Sequence, residues 1–353
     1  MNILYLKEGQ RFDKKKWFVH DQDYGRWYTR ILLAERVENA SPAFGGATSH
    51  ERGMVKAFMQ LGHTVSVRYY SKMAPFVFAT KPDLIYQRQS RFSLAGVLLK
   101  FIYRVPFFLE CNGSEVWMLK NWGGKKWMLP FVWIVEKLNW HFADQIFCVS
   151  QAIRDEIGRG VVNPNGVDVD VFKPKHTKRK RFTVGWVGTY GAWHGVETIV
   201  EAARLLGDDV DWYMMGNGKL RPWAEANMNA FFGTIDHDRM PEFLNSCDVL
   251  VSAQQLNKDG SDFFGSPTKL FEYMAVGKPI LTTPYGQPGK ILEDGVNCFM
   301  FQDAFELAHK IRLLKDYPAR GKELGINARF EALNWTWQHS ADRVIDVYLR
   351  EKK

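Results

Sequence analysis

Short runs of β-branched and aromatic residues alternate along the chain with longer stretches in which apolar positions recur every three or four residues, and the alternation occurs twice. In the first half, the short runs predict strands at 2–6, 64–70, 83–87, 106–111 and 145–150, with helices beginning near Ala47, Ser90, Lys126 and Gln151. The rhythm restarts with runs at 181–188, 210–216, 230–233, 248–252 and 278–283. Strands that alternate with helices predict parallel sheets covered on both faces, because each parallel crossover needs a helix-length connection. Between the halves, residues 163–181 (NPNGVDVDVFKPKHTKRKR) are rich in turn formers and charge and read as a linker. The expected fold class is α/β: two doubly wound, Rossmann-like domains, 1–175 and 176–353, with the last helix able to cross back to the first. An insert at about 8–44, after the first strand, is far longer than an ordinary strand–helix connection.

The stretch SPTKLFEYMAVGKPIL at 266–281 carries the first chemical clue. Ser266 can cap a helix, Pro267 suits its first position, and Gly277 with Pro279 stops it before the next apolar run. Lys269 then stands in the first turn, where a cation opposes the helix dipole unless an anion is bound there. Glycines follow two strands of the same half, in VGTYGAW (Gly188, Gly191) and in GNGK (Gly216, Gly218). Glycine at a strand end lets backbone approach phosphate, and ligands of doubly wound sheets sit at those ends. Together these features indicate a phosphate-bearing ligand in the second domain.

Composition narrows the picture further. A chain of 353 residues exceeds what one core usually serves, and 46% hydrophobic with 24% charged residues is ordinary for a globular protein. No apolar run is long enough to span a membrane, and MNILYLKEGQ is too quickly charged for a signal peptide, so a cytoplasmic protein is expected. Cys111, Cys148, Cys247 and Cys298 are scattered singly, which suggests reduced core thiols rather than a zinc site or a disulfide framework. The net charge of +8 is concentrated in 14–17, 120–133 and 173–181. In 120–133, Lys120, Lys125 and Lys126 are interleaved with Trp122, Trp127 and Trp133, a composition compatible with an anionic membrane face, nucleic acid or a solvated surface.

Several ordered segments complete a pattern: GGATSHERGMVKAFMQLGHTVSV (45–67), ADQIFCVSQAIRDEI (143–157), NPNGVDVDVFKP (163–174), GWVGTYGAWHGVETIVEAARLL (185–206), MGNGKLR (215–221), CDVLVSAQ (247–254) and SPTKLFEYMAVGKPIL. In this order and spacing the chain resembles the retaining nucleotide-sugar glycosyltransferases of family four. The resemblance implies a GT-B fold, with two Rossmann-like domains facing each other across a cleft. It also implies transfer of a hexose-type sugar from a UDP- or GDP-linked donor to a hydroxyl of a glycan or lipid-linked acceptor. Glu272 matches the position that binds the ribose hydroxyls, and Lys269 would face the diphosphate. Ser266, Pro267, Thr268 and Leu270 of the same turn, Gly188, Thr189, Gly216, Gly218 and Ile235, and Gly45 with Gly46 in the first domain, complete the expected donor site.

The chain also departs from the family pattern. Phe264 stands where a first glutamate would contact the transferred sugar, although Asp262 is near in sequence. Thr189 and His194 stand where arginine and lysine are common, which places more of the leaving-group charge on Lys269. Asn112 occupies a loop where many relatives have a histidine near the reacting sugar; Lys269, His194 and Asn112 are therefore the expected catalytic residues. The resemblance implies front-face substitution without cofactor or metal, and Asp168 and Asp170 read as a turn. The expected partners are a nucleoside-diphosphate sugar, an acceptor and a possible anionic membrane surface, without nucleic acid. The rival readings are a same-fold epimerase or phosphorylase, and a non-enzymatic basic membrane or nucleic-acid adaptor.

Overall fold

Each half of the chain builds one parallel six-stranded sheet in a computed structural model, which describes residues 1–8, 46–70, 81–121, 124–177, 179–257 and 260–352. Two units result, one of Met1–Ala43, Met54–Pro164 and Ala341–Lys353, the other of Phe44–Gly53 and Asn165–Ser340.

In the first unit the strands are β1 (Asn2–Glu8), β2 (Thr64–Tyr70), β3 (Leu84–Arg88), β4 (Phe107–Cys111), β5 (Gln145–Cys148) and β6 (Val161–Val162), in the order β2-β1-β3-β4-β5-β6. Its helices are α1 (Gly46–Gln60), whose first turns belong to the second unit, α2 (Ala95–Tyr103), α3 (Glu115–Asn121), α4 (Leu129–Phe142) and α5 (Gln151–Ile157). All five residues of β4 are buried, as expected for a central parallel strand covered on both faces. Helix α2 begins later than Ser90, the start expected from the apolar pattern, and ends where Arg104 turns into the left-handed region before Val105 and Pro106. Gly96 seats α2 against the sheet, since a Cβ there would lie 2.2 Å from the Phe107 ring.

The second unit repeats the design with β7 (Thr183–Gly188), β8 (Asp211–Gly216), β9 (Phe231–Gly233), β10 (Val249–Ser252), β11 (Ile280–Thr282) and β12 (Phe299–Met300). Their order, β12-β11-β10-β7-β8-β9, puts the topological switch between β7 and β10. The helices are α6 (Val196–Leu206), α7 (Arg221–Asn227), α8 (Met240–Ser246), α9 (Thr268–Ala275), α10 (Pro288–Ile291), α11 (Ala304–Asp316), α12 (Pro318–Ala332) and α13 (Trp337–Glu351), the last running on into residues of the first unit. Alternate strand positions feed two cores. Val184, Trp186, Trp212, Val249 and Val251 pack with α6 and α11, whereas Leu250 and Ile280 pack with α8, α9 and α12. Each such large apolar side chain contributes roughly 1.5–3 kcal/mol on burial. The basic stretch 173–181, expected as a linker, is packed on this unit: the Lys175 N–H donates to Asn245, Arg179 lies over the Tyr213 ring, and Arg181 pairs with Asp211 at 3.1 Å. All four cysteines are buried and unpaired.

Candidate active site

Helix α9 is buried at every one of its eight residues, although it carries a lysine and a glutamate. Buried charges are expensive, so a helix that keeps two of them invites a functional explanation. The expected start of this helix is corrected by the structure. Thr268 is its first residue, Pro267 is the extended residue before it, and no side chain caps it. The hydroxyl of Ser266 instead accepts the Asn165 N–H at 3.0 Å, which ties Ser266 to the turn before Val167 and takes it away from the helix end. The helix N-terminus thus keeps its positive end unneutralised by a side-chain cap.

Lys269 and Tyr273, one turn apart on α9, both reach β7. The Tyr273 hydroxyl accepts the Val187 N–H at 2.9 Å, and the Lys269 Nζ donates to the Val187 carbonyl at 3.1 Å. Lys269 Nζ also lies 3.3 Å from Nδ1 of His194 and 5.1 Å from the centre of the Trp186 ring. No carboxylate among the described residues pairs with this ammonium. Burial without a counter-ion lowers its pKa to about 7. Burial, and then the charge of Lys269, hold His194 well below the ordinary histidine range. His194 is therefore neutral, with Nδ1 facing the lysine. In this arrangement the imidazole packs directly against the lysine ammonium.

The loops beside this lysine are built around close backbone contact. A Cβ on Gly216 would lie 1.8 Å from the Gly188 carbonyl oxygen, and one on Gly218 would lie 1.7 Å from that of Thr189. Both glycines also have positive φ, of 137° and 154°. Thr189 is exposed at the end of β7, and the next residue, the buried Tyr190, adopts φ 48°, unusual for a non-glycine residue. Tyr190 is fixed there by an edge-on contact with Trp186 at 4.6 Å and by donating to the Met214 carbonyl. These positions lie at the carboxyl ends of β7 and β8, beside the switch point at which doubly wound sheets bind ligands.

Glu272 faces a different partner. Its Oε1 lies 3.0 Å from Nε2 of His237, and the same nitrogen lies 2.8 Å from the Ser49 hydroxyl, which belongs to this unit. Burial works against charge on His237, but the hydrogen bond and charge of Glu272 outweigh it and raise the pKa. Lys269 and Glu272 do not pair with each other. One serves the β7 side and the other the turn before α8.

Other expected residues fall as follows. Leu270 is corrected: its side chain is fully buried in the core and its N–H donates to the Pro267 carbonyl, so neither is available to a donor. Ile235 is half-buried against the core that includes α9. Asp262 accepts the N–H groups of Phe263 and Gly286 and so organises its loop. Asp168 accepts the N–H groups of Asp170 and Val171 in a turn. Gly46 opens α1, whereas Gly45, Trp122 and nearly all of the insert lie outside the described residues. Asn112 belongs to the first unit, where its amide donates to Glu110 at 2.8 Å and its carbonyl accepts from Arg88 at 3.0 Å. Among the described residues, no group of three or more His, Cys, Asp and Glu side chains is placed to hold a metal ion.

Two features of this unit were not foreseen from sequence. His237 gives no sign, within TIDHDRM, that it reaches α9. Gln254, at the end of β10, is fully buried with neither amide atom hydrogen-bonded, and only the fold reveals that.

Fold and site together define a double Rossmann-like protein with a buried cation at the switch point of its second sheet. Comparison with known proteins gives the class. The family model for "Glycosyl transferases group 1" matches residues 181–316, and that for "Glycosyltransferase Family 4" matches 31–171. An uncharacterized glycosyltransferase of Methanocaldococcus jannaschii is 26% identical over 268 residues, 72% of this chain and 71% of that protein. Among solved structures, Anabaena HepE in complex with UDP-glucose superposes with a TM-score of 0.70 at 15% identity, over 99% of this chain and 100% of that one. Sucrose-phosphate synthase of Thermosynechococcus elongatus gives 0.68 at 15% identity, over 99% and 98%. The fold is that of the GT-B enzymes, and the chain belongs to the group 1, family-four-like glycosyltransferases.

Proposed function

We propose that this glycosyltransferase is a retaining enzyme that moves a hexose from a UDP- or GDP-linked donor to a hydroxyl of a glycan or lipid-linked acceptor. The observation that carries the reading is Lys269, a buried ammonium without a counter-ion at the head of an uncapped helix. A diphosphate would supply the missing anion to both Lys269 and the free N–H groups of α9. Glu272, held by His237, keeps Oε2 for the ribose diol, and the Gly188–Thr189 and Gly216–Gly218 loops flank the phosphates. A donor glucose or related sugar fits this reading, since HepE has been solved with UDP-glucose.

In the proposed reaction the bond from the anomeric carbon to the β-phosphate oxygen breaks. The acceptor oxygen bonds to that carbon on the same face, and the acceptor proton passes to a phosphate oxygen. The protein need supply only position and positive charge, and Lys269 provides the charge without a metal. A lipid-linked acceptor would be met at a membrane face. A thermal-shift panel of nucleotides and nucleotide sugars identifies the donor, and NMR of the product's anomeric proton then tests the stereochemistry. Retained configuration is expected, and an inverted product would overturn front-face transfer.

A further inference from the structure

The outer surface of the first unit carries a basic and aromatic face that the donor chemistry does not use. On α4, Phe131, Val135, Leu138 and Phe142 recur at i, i+4, i+7 and i+11, and none of them is buried. Trp127, 68% exposed, extends this stripe by edge contact with Phe131 at 6.4 Å. At its other end Phe142 touches Phe101 of α2 at 5.5 Å, and α2 adds exposed Leu98 and Ile102. The exposure of α2 is built in, because Gly96 already presses its inner side onto Phe107. Single exposed apolar residues need no explanation, but a stripe continued from one helix to the next does.

The charge on this face is mostly positive, with the carboxylates of Asp144, paired with Lys100 at 2.6 Å, and Glu351 confined to its α2 end beside Phe101 and Arg104. Lys125 and Lys126 immediately precede Trp127 and Arg104 follows α2; all three are exposed, as is Lys120 on α3. Across residues 95–104 and 120–142 the only carboxylate is Glu136, and it is buried, accepting from Ser114 and from the Glu115 N–H. Protein interfaces deplete lysine at their cores, whereas Lys mixed with Trp and Phe on a surface helix suits a lipid–water boundary. No described helix is long and apolar enough to cross a membrane, so contact would be at the surface.

We infer that the α2–α4 face docks the enzyme on a membrane rich in anionic lipid, with Trp127, Phe131, Phe101 and Ile102 entering the headgroup boundary and the surrounding lysines facing lipid phosphates. The inference extends the lipid-linked-acceptor reading to a named surface, but the binding itself does not depend on that reading. The test is therefore binding of the full chain to vesicles, measured without any sugar chemistry. Sedimentation is compared for vesicles of phosphatidylcholine alone and of phosphatidylcholine with phosphatidylglycerol in equal parts.

Preferential binding to the anionic vesicles is expected, weakening as salt rises. Lys125→Glu with Lys126→Glu is expected to reduce partitioning by more than about tenfold, since each surface cation contributes about fivefold. Trp127→Ser with Phe131→Ser is expected to reduce it comparably, while Trp223→Ser, on the second unit, leaves it unchanged. All variants should keep the wild-type nucleotide affinity, which separates failure of docking from failure of the donor site. As a check independent of variant folding, wild-type tryptophan emission should be quenched by lipids brominated in the acyl chain. Equal binding to neutral and anionic vesicles, unimpaired binding of both double variants, absent quenching, or self-association through this face without vesicle binding would each overturn the inference.

Discussion

Lys269 makes a quantitative prediction about protons. In the free enzyme its pKa is about 7, because it is buried against Val187, Trp186 and a neutral His194 with no anion. A bound diphosphate stabilises the ammonium and restores a pKa well above the assay range, so above pH 7 donor binding must take up a proton. The fraction already protonated falls as 1/(1 + 10^(pH − 7)), which makes the donor about thirtyfold weaker near pH 8.5 than near pH 6, or about 2 kcal/mol. Proton uptake should rise from about 0.1 to nearly one per donor over the same interval. A nucleotide sugar is the proper ligand, because a nucleoside diphosphate has a terminal phosphate that titrates in this range itself. Calorimetry in two buffers of different ionisation enthalpy measures the uptake. Lys269→Met, compared at each pH, removes the contribution of His237, which also titrates. A flat affinity with no uptake in the wild type, or the same uptake in the methionine variant, would refute the reasoning.

Other expectations follow from the same geometry. Glu272→Gln should weaken nucleoside diphosphate and nucleotide sugar equally, by about tenfold or more, as titration calorimetry can show, because its partner is the ribose and not the transferred sugar. Without ligand, the wild type should gain stability relative to Lys269→Met as pH rises from about 7 towards 10: the unfolded lysine binds a proton over that window and the folded one does not, and paired thermal melts measure the difference. Gly218→Ala should lower stability by about 2 kcal/mol or more in denaturant titrations, since φ is 154° and the new Cβ would collide with the Thr189 carbonyl. Transfer should persist in excess chelator, and loss of activity restored by manganese or magnesium would point to a ligand set beyond Lys269.

Much of the fold was legible because its signals are local. Short runs of β-branched and aromatic residues gave the long strands, and the helix carrying Lys269 was visible from its stop signal and its misplaced cation. The short strands β6 and β12, two residues each, carry too little pattern to be seen. Helix α3 was missed because its start is organised from a distance, by the Glu136 carboxylate of α4 accepting the Glu115 N–H. The same limit applied at the site. Ser266 looks like a cap in sequence, but its hydroxyl goes to Asn165, 101 positions away. Nothing in the spacing could bring His237 to Glu272, because that contact depends on where the turn before α8 packs. Sequence put His194 among the expected catalytic residues, but it could not show that burial beside Lys269 holds the imidazole well below the ordinary histidine range.

The most direct test of Lys269 as the cation that meets the departing phosphate is turnover at saturating donor, read as slow hydrolysis of the nucleotide sugar so that no acceptor need be known. An interaction that strengthens as charge builds on the leaving oxygen appears in kcat, and a hydrogen bond to a charged group is worth about 1.5–3 kcal/mol. Lys269→Ala is therefore expected to hydrolyse saturating donor about a hundredfold more slowly than the wild type. Near-normal turnover by that variant would contradict the account, because the buried lysine would then have no part in the step for which its position was explained.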